Sequence, residues 1–112
     1  MTPNEYQIAC LRTTPKLDNF SEDALINCAL GITGEAGEVA DMIKKHAFQG
    51  HGLDEEHFVK ELGDVLWYIA VGASAAGYSL NEVMELNIEK LQKRYPNGFD
   101  SDRSINRVAG DI

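Results

Sequence analysis

Between Ser21 and Gly77 a helical hydrophobic period is broken only once, and this constrains the fold more than any other feature. Leu25, Ile26, Ala29, Ile32, Ala36, Val39, Ile43 and Ala47 keep the spacing of one helix face. Ser21 opens this segment, and Glu22 and Asp23 suit the positive end of its dipole. Lys44, Lys45 and His46 fall in the last turns, where positive charge is favoured. Gln49-Gly50-His51-Gly52 stops the helix and Asp54 caps the next. There Phe58, Leu62, Val65, Leu66, Ile69 and Ala70 make an apolar face, and the middle of the segment is apolar nearly all round. Such a helix is expected to be buried, against other helices or between subunits. The break is short, so the two helices are expected to form an antiparallel hairpin.

Shorter helices flank this hairpin. Thr2-Pro3-Asn4-Glu5 combines an N-cap, a proline at the first helical position and a glutamate placed for a capping box. That helix is expected to reach about Arg12, with Thr13–Asn19, including Pro15, as a connecting loop. Ser79-Leu80-Asn81-Glu82 is a second capping box, and its helix should run to about Arg94, ended by Pro96-Asn97-Gly98. The polar tail from Asp100 to Ile112 is expected to be loosely ordered or docked on a neighbour. Strand signals are few, so an all-α, four-helix-bundle type of fold is expected. The sequence reads as one domain over residues 1–112, with its core at about 4–100 and a tail at 101–112.

The chain carries a net charge of −8, which opposes binding to a nucleic-acid backbone. A phosphorylated small molecule could still bind carboxylates through a cation. No apolar run reaches the length needed to span a bilayer, so no membrane partner is expected. Met1-Thr2-Pro3-Asn4-Glu5 lacks the basic start and apolar run of a signal peptide. Cys10 and Cys28 form no CxxC motif and read as small apolar core residues. A cytoplasmic, reduced setting is the expectation.

The chemistry concentrates on the hairpin. Gly34-Glu35-Ala36-Gly37-Glu38 lies on the first helix and Glu61-Leu62-Gly63-Asp64 on the second. Each places two carboxylates three residues apart, on one helix face. Acids at that spacing are usually a solvated stripe. Here the second pair sits between Phe58-Val59 and Val65-Leu66-Trp67-Tyr68-Ile69-Ala70-Val71. An unpartnered carboxylate in such surroundings would neutralise or recruit a cation. A hairpin can bring both pairs to one level, and oxygen-only ligands favour Mg²⁺, or Mn²⁺, over zinc. Gly31, Gly34, Gly37 and Gly63 each cost a helix interior about 1 kcal/mol relative to alanine, which suggests close approach by backbone or ligand. Asn87, Lys90 and Arg94 share a face of the last helix; spacing alone favours an ordinary solvated stripe, but close to a metal cluster in an acidic chain such a stripe is a natural polyphosphate clamp. Lys44 and Lys45 are also explained by the helix dipole.

These residues resemble the ExxE…ExxD signature of the all-α nucleoside triphosphate pyrophosphohydrolases, especially the compact MazG-like proteins of phages and prophages. The resemblance runs from about residue 4 to 100: Asn4-Glu5-Tyr6-Gln7 with Arg12-Thr13, Leu30–Val39, Lys60–Tyr68, and Asn87–Phe99. It implies Mg-dependent hydrolysis of a nucleoside or deoxynucleoside triphosphate to the monophosphate and pyrophosphate. Glu35, Glu38, Glu61 and Asp64 would hold the metal, and one of them would accept the proton of the attacking water. Asn87, Lys90 and Arg94, and more weakly Lys44, carry over as phosphate contacts. Trp67 and Tyr68 are candidates for stacking on base or sugar, with core packing as the equal alternative. A homodimer or homotetramer is implied, with the active site at subunit contacts. Many relatives have EExxE where this chain has Gly34, which leaves the metal count open.

Three rival readings remain at this stage. A di-iron bundle needs Glu-x-x-His pairs, and the nearest approach is Asp54-x-x-His57. A non-catalytic nucleotide- or metal-binding regulatory module would keep the fold without turnover. Phosphoribosyl-ATP pyrophosphohydrolase chemistry would keep the reaction and change the substrate.

Overall fold

A computed structural model describes residues 1–15 and 21–112. Five helices follow in order among the described residues: α1 (Pro3–Cys10), α2 (Glu22–Phe48), α3 (Glu55–Ala75), α4 (Leu80–Arg94) and α5 (Ser101–Ile105). No strand forms among them, and the fold is all-α. Among the described residues no helix is long and apolar enough to cross a membrane. The described chain divides into two compact units, Met1–Leu80 and Asn81–Ile112. Residues 16–19 of the expected Thr13–Asn19 loop lie outside the described residues.

The capping signals account for the helix starts. The Thr2 hydroxyl accepts from the Glu5 backbone N–H at 3.2 Å, and Glu5 returns the bond to Thr2 N–H at 2.7 Å. The Ser21 hydroxyl caps α2 by accepting from Ala24 N–H, and the Asp54 carboxylate caps α3 by accepting from His57 N–H. Gly50 and Gly77, at φ 74° and 79°, take the left-handed backbone that lets the chain leave α2 and α3.

In the first unit α2 and α3 pack antiparallel, and the register can be followed residue by residue. The Cys28 thiol reaches the Tyr68 carbonyl and lies against Gly72; Gly31 lies under the Tyr68 ring; Glu35 meets Asp64 and Glu61. Each step up α2 matches a step down α3. Gly31 and Gly72 have no room for a Cβ, which would overlap the Tyr68 ring and the Cys28 sulfur respectively. A Cβ at Gly34, Gly37 or Gly63 would instead meet open space. Close approach therefore explains Gly31 but not the three glycines beside the acids.

Helix α1 lies across α3. Buried Gln7 donates through Nε2 to Ser74 Oγ (2.9 Å) and to the Tyr78 carbonyl (3.0 Å), with a longer contact to the Ala70 carbonyl; its Oε1 accepts from Leu80 N–H at 2.8 Å. Around it, Cys10, Ala70, Val71 and Leu80 form the buried core, flanked by Tyr6, Trp67 and Ile69. Cys10 is buried as expected, while Cys28 is only half-buried; both are free thiols. Burial of α3 is uneven. Its C-terminal half is covered at Ala70, Val71, Ala73 and Ala75, but Val59, Leu62 and Leu66 remain 62%, 44% and 41% exposed. The reason is that α1 and the start of α2 cover one end of α3 and leave an apolar stripe at the other.

The tail is more structured than its polarity suggests. Asp100 caps α5 by accepting from Arg103 N–H, and Asp111 forms a two-pronged pair with Arg94.

Candidate metal centre

One carboxylate oxygen from each of Glu35, Glu61 and Asp64 lies within 4.8 Å of the others. The antiparallel register causes this convergence: Glu35 on α2 falls at the level of the Glu61/Asp64 turn of α3. Glu35 and Glu61 are half-buried and Asp64 is exposed. Partial burial, followed by repulsion from Asp64, Glu61 and Glu38, pushes the Glu35 carboxyl above the usual carboxylate range. Crowded anions of this kind fit a divalent cation. Oxygen donors without cysteine match the hard Mg²⁺ and Mn²⁺ ions.

Neighbouring groups orient the cluster. His57 Nε2 donates to Glu61 Oε1 at 2.8 Å, one turn back along α3, fixing one oxygen of that carboxylate. Asp54 and His57, the nearest sequence approach to a di-iron pair, thus serve as a helix cap and a carboxylate partner. The Tyr6 hydroxyl lies 3.4 Å from the Gly63 carbonyl, between the two α3 acids. Burial, a hydrogen bond with Cys10 and the nearby Cys10 and Asp64 charges push its pKa up to about 12.

Glu38 stands outside the three-carboxylate cluster and is exposed. With Glu61 it lines an adjoining cleft of about 240 Å³ that also presents Asp41, Lys45, His51 and His57. Lys45, rather than Lys44, faces this cleft. Both lysines pair with Asp41, at 2.6 Å and 3.1 Å, and Lys44 is 56% exposed. By resemblance Lys44 carries over as a weaker phosphate contact, whereas Lys45 has only the helix dipole; spacing holds no signal for which of the two lines the cleft. The sequence motifs do not connect His57 with the acids; its i, i+4 spacing to Glu61 is the signal that could have done so.

Both aromatic candidates have packing partners. Trp67 Nε1 donates to Thr13 Oγ1 at 2.9 Å, and the Tyr68 ring covers Gly31. The two rings meet edge to face at 4.8 Å. Asn87, Lys90 and Arg94 belong to the second unit. There Asn87 is exposed, while Lys90 and Arg94 line a cavity of about 510 Å³.

The helical hairpin thus brings Glu35 of the ExxE turn to Glu61 and Asp64 of the ExxD turn, and the sequence around these turns matches a known family. Residues 24–99 match the MazG nucleotide pyrophosphohydrolase domain, so the chain belongs to that family. Gene 37 protein of Mycobacterium phage L5 is 34% identical over 98 residues, covering 84% of this chain and 81% of the phage protein. YvdC of Bacillus subtilis (strain 168), described as uncharacterized, is 34% identical over 70 residues, covering 54% of this chain and 66% of its own. No solved structure matches the chain significantly.

Proposed function

We propose that this protein hydrolyses a nucleoside or deoxynucleoside triphosphate to the monophosphate and pyrophosphate. The convergence of Glu35, Glu61 and Asp64 across two helices is the observation that carries this reading. These three residues would hold Mg²⁺ or Mn²⁺, with Glu38 at the edge of the adjoining cleft. The bound ion would lower the pKa of water and offset the charge of the triphosphate. His57 holds Glu61 in place. Lys45, at the cleft wall, is a source of positive charge for phosphate oxygens. One of the carboxylates accepts the proton of the attacking water.

Residues 1–112 act as one functional domain in this proposal, working in the cytoplasm as a homodimer or homotetramer. The exposed apolar stripe of Val59, Leu62 and Leu66 supports self-association, since a chain this small gains stability by covering such a surface. The test is a pyrophosphate-release assay with Mg²⁺ over a panel of canonical and modified NTPs and dNTPs, with phosphoribosyl-ATP included. Turnover that disappears in Glu61→Gln and Asp64→Asn supports the reading. Metal binding without turnover of any substrate would point to a regulatory module instead.

A further inference from the structure

The second unit contains a cavity of its own. Its walls, about 510 Å³ in volume, carry Lys90, Lys93, Arg94 and Arg103 against Glu89 and Asp111, an excess of positive charge in a chain of net charge −8. One contact in this wall is a two-pronged ion pair. Arg94 Nε donates to Asp111 Oδ2 at 2.7 Å and a terminal guanidinium nitrogen donates to Oδ1 at 2.8 Å. The side chains are only 10% and 17% exposed.

Parallel N–H donors of this kind bind a carboxylate or a phosphate in the same way, and cannot serve both at once. Asp111 reaches Arg94 through a tight turn. Its N–H donates to the Val108 carbonyl at 3.0 Å, and Gly110 sits at φ 86°, the left-handed position of a type II turn. Little else holds this segment: α5 has no buried residue, and Val108 is 76% exposed.

We propose that the cavity is a polyphosphate site whose Arg94 is kept engaged by Asp111, an internal carboxylate of the wall that a phosphate chain displaces. The inference rests on reading Lys90 and Arg94 as phosphate contacts. It adds that the Val108–Asp111 turn is a latch, raising the phosphate concentration needed to fill the site. The shared ligand chemistry is a phosphoanhydride chain, whether the triphosphate of a nucleotide or free pyrophosphate. Asp111 is held well below the usual carboxylate range by the Arg94 pair, with Arg107 and Lys90 adding to it, so the latch carries full charge at neutral pH.

The test measures calorimetric binding of inorganic pyrophosphate and, separately, of a dNTP with a non-hydrolysable α,β-methylene bridge, both to the full chain. Asp111→Asn removes the competing charge. Gly110→Ala strains the turn at φ 86° while keeping every charged side chain, and beyond its two chain neighbours no atom lies within 4 Å of the added Cβ. Asp111→Asn is expected to tighten binding of at least one probe about tenfold, and Gly110→Ala to tighten it less. The probe that gains identifies the source of the phosphate chain. In the unmodified protein, adding that probe should shift the backbone amide signals of Ala109, Gly110 and Asp111 as the turn lets go. Unchanged or weaker binding in both variants, or tail amides unmoved at saturating probe, overturns the latch. Turnover in the substrate panel is read independently, so a latch without hydrolysis and hydrolysis without a latch are separate outcomes.

Discussion

Gln7→Met should cost about 3 kcal/mol of folding stability, although Gln7 touches neither the acid cluster nor any charged group. The side chain is 8% exposed and ties α1 to the end of α3. Methionine is close to isosteric, so packing is largely kept and the loss is polar. Leu80 N–H, on a residue 5% exposed, loses its only described acceptor in Gln7 Oε1. A stranded buried donor costs about 2 kcal/mol. The bonds from Nε2 to Ser74 and Tyr78 are partly replaceable, since the Ser74 hydroxyl can rotate and Tyr78 is exposed. Together they contribute about 1 kcal/mol. The 3.4 Å contact to Ala70 adds little. Urea unfolding followed by circular dichroism measures the difference, with an unchanged m-value as the sign that the same surface is exposed. Ser74→Ala is the control, expected to cost about 1 kcal/mol because Gln7 keeps its other partners. A loss below about 1 kcal/mol for Gln7→Met would refute the claim that this residue ties α1 to the end of α3.

Other perturbations separate packing from chemistry. Gly31→Ala should destabilise the protein by overlapping the Tyr68 ring, whereas Gly34→Ala should stabilise the isolated chain by about 1 kcal/mol, as thermal denaturation of the pair would show. His57→Ala should weaken Mn²⁺ binding by about tenfold or more through loss of the hydrogen bond to Glu61, with the helix content unchanged by circular dichroism. Glu38→Gln should greatly reduce turnover at saturating Mg²⁺ while the helical fold survives, and near-normal activity would remove Glu38 from the site. Glu35 gives a pH dependence with a definite sign. Its folded pKa is raised, so its contribution to stability is present below the unfolded value and lost as pH rises through the folded one. Metal-free protein should therefore lose stability on that rise. Mg²⁺ should bind more tightly over the same interval and restore the stability, both measurable by melting curves with and without the ion.

Much of the fold was legible because helix boundaries are local. Thr2, Ser21 and Asp54 cap their helices with their own side chains, and Gly50 and Gly77 end them by backbone conformation, so three-residue signals sufficed. The four acids were legible as candidates because the i, i+3 spacing puts each helix's pair on one face, but that spacing did not tell which of them converge.

What the tertiary structure alone decided depends on register and on long-range partners. It separated Glu38 from the three converging acids and turned Lys45 toward the cleft while Lys44 faces solvent. It assigned Gly31 to the Tyr68 ring and left Gly34 and Gly63 open. It also folded a polar tail back so that Asp111 meets Arg94 across seventeen positions of sequence. A side chain's own identity and its neighbours within one turn determine whether a helix starts, stops or carries charge on one face. Which charge is neutralised, and by what, is set by groups that only the folded chain brings within a few ångströms, where Coulomb and hydrogen-bond energies become large enough to choose.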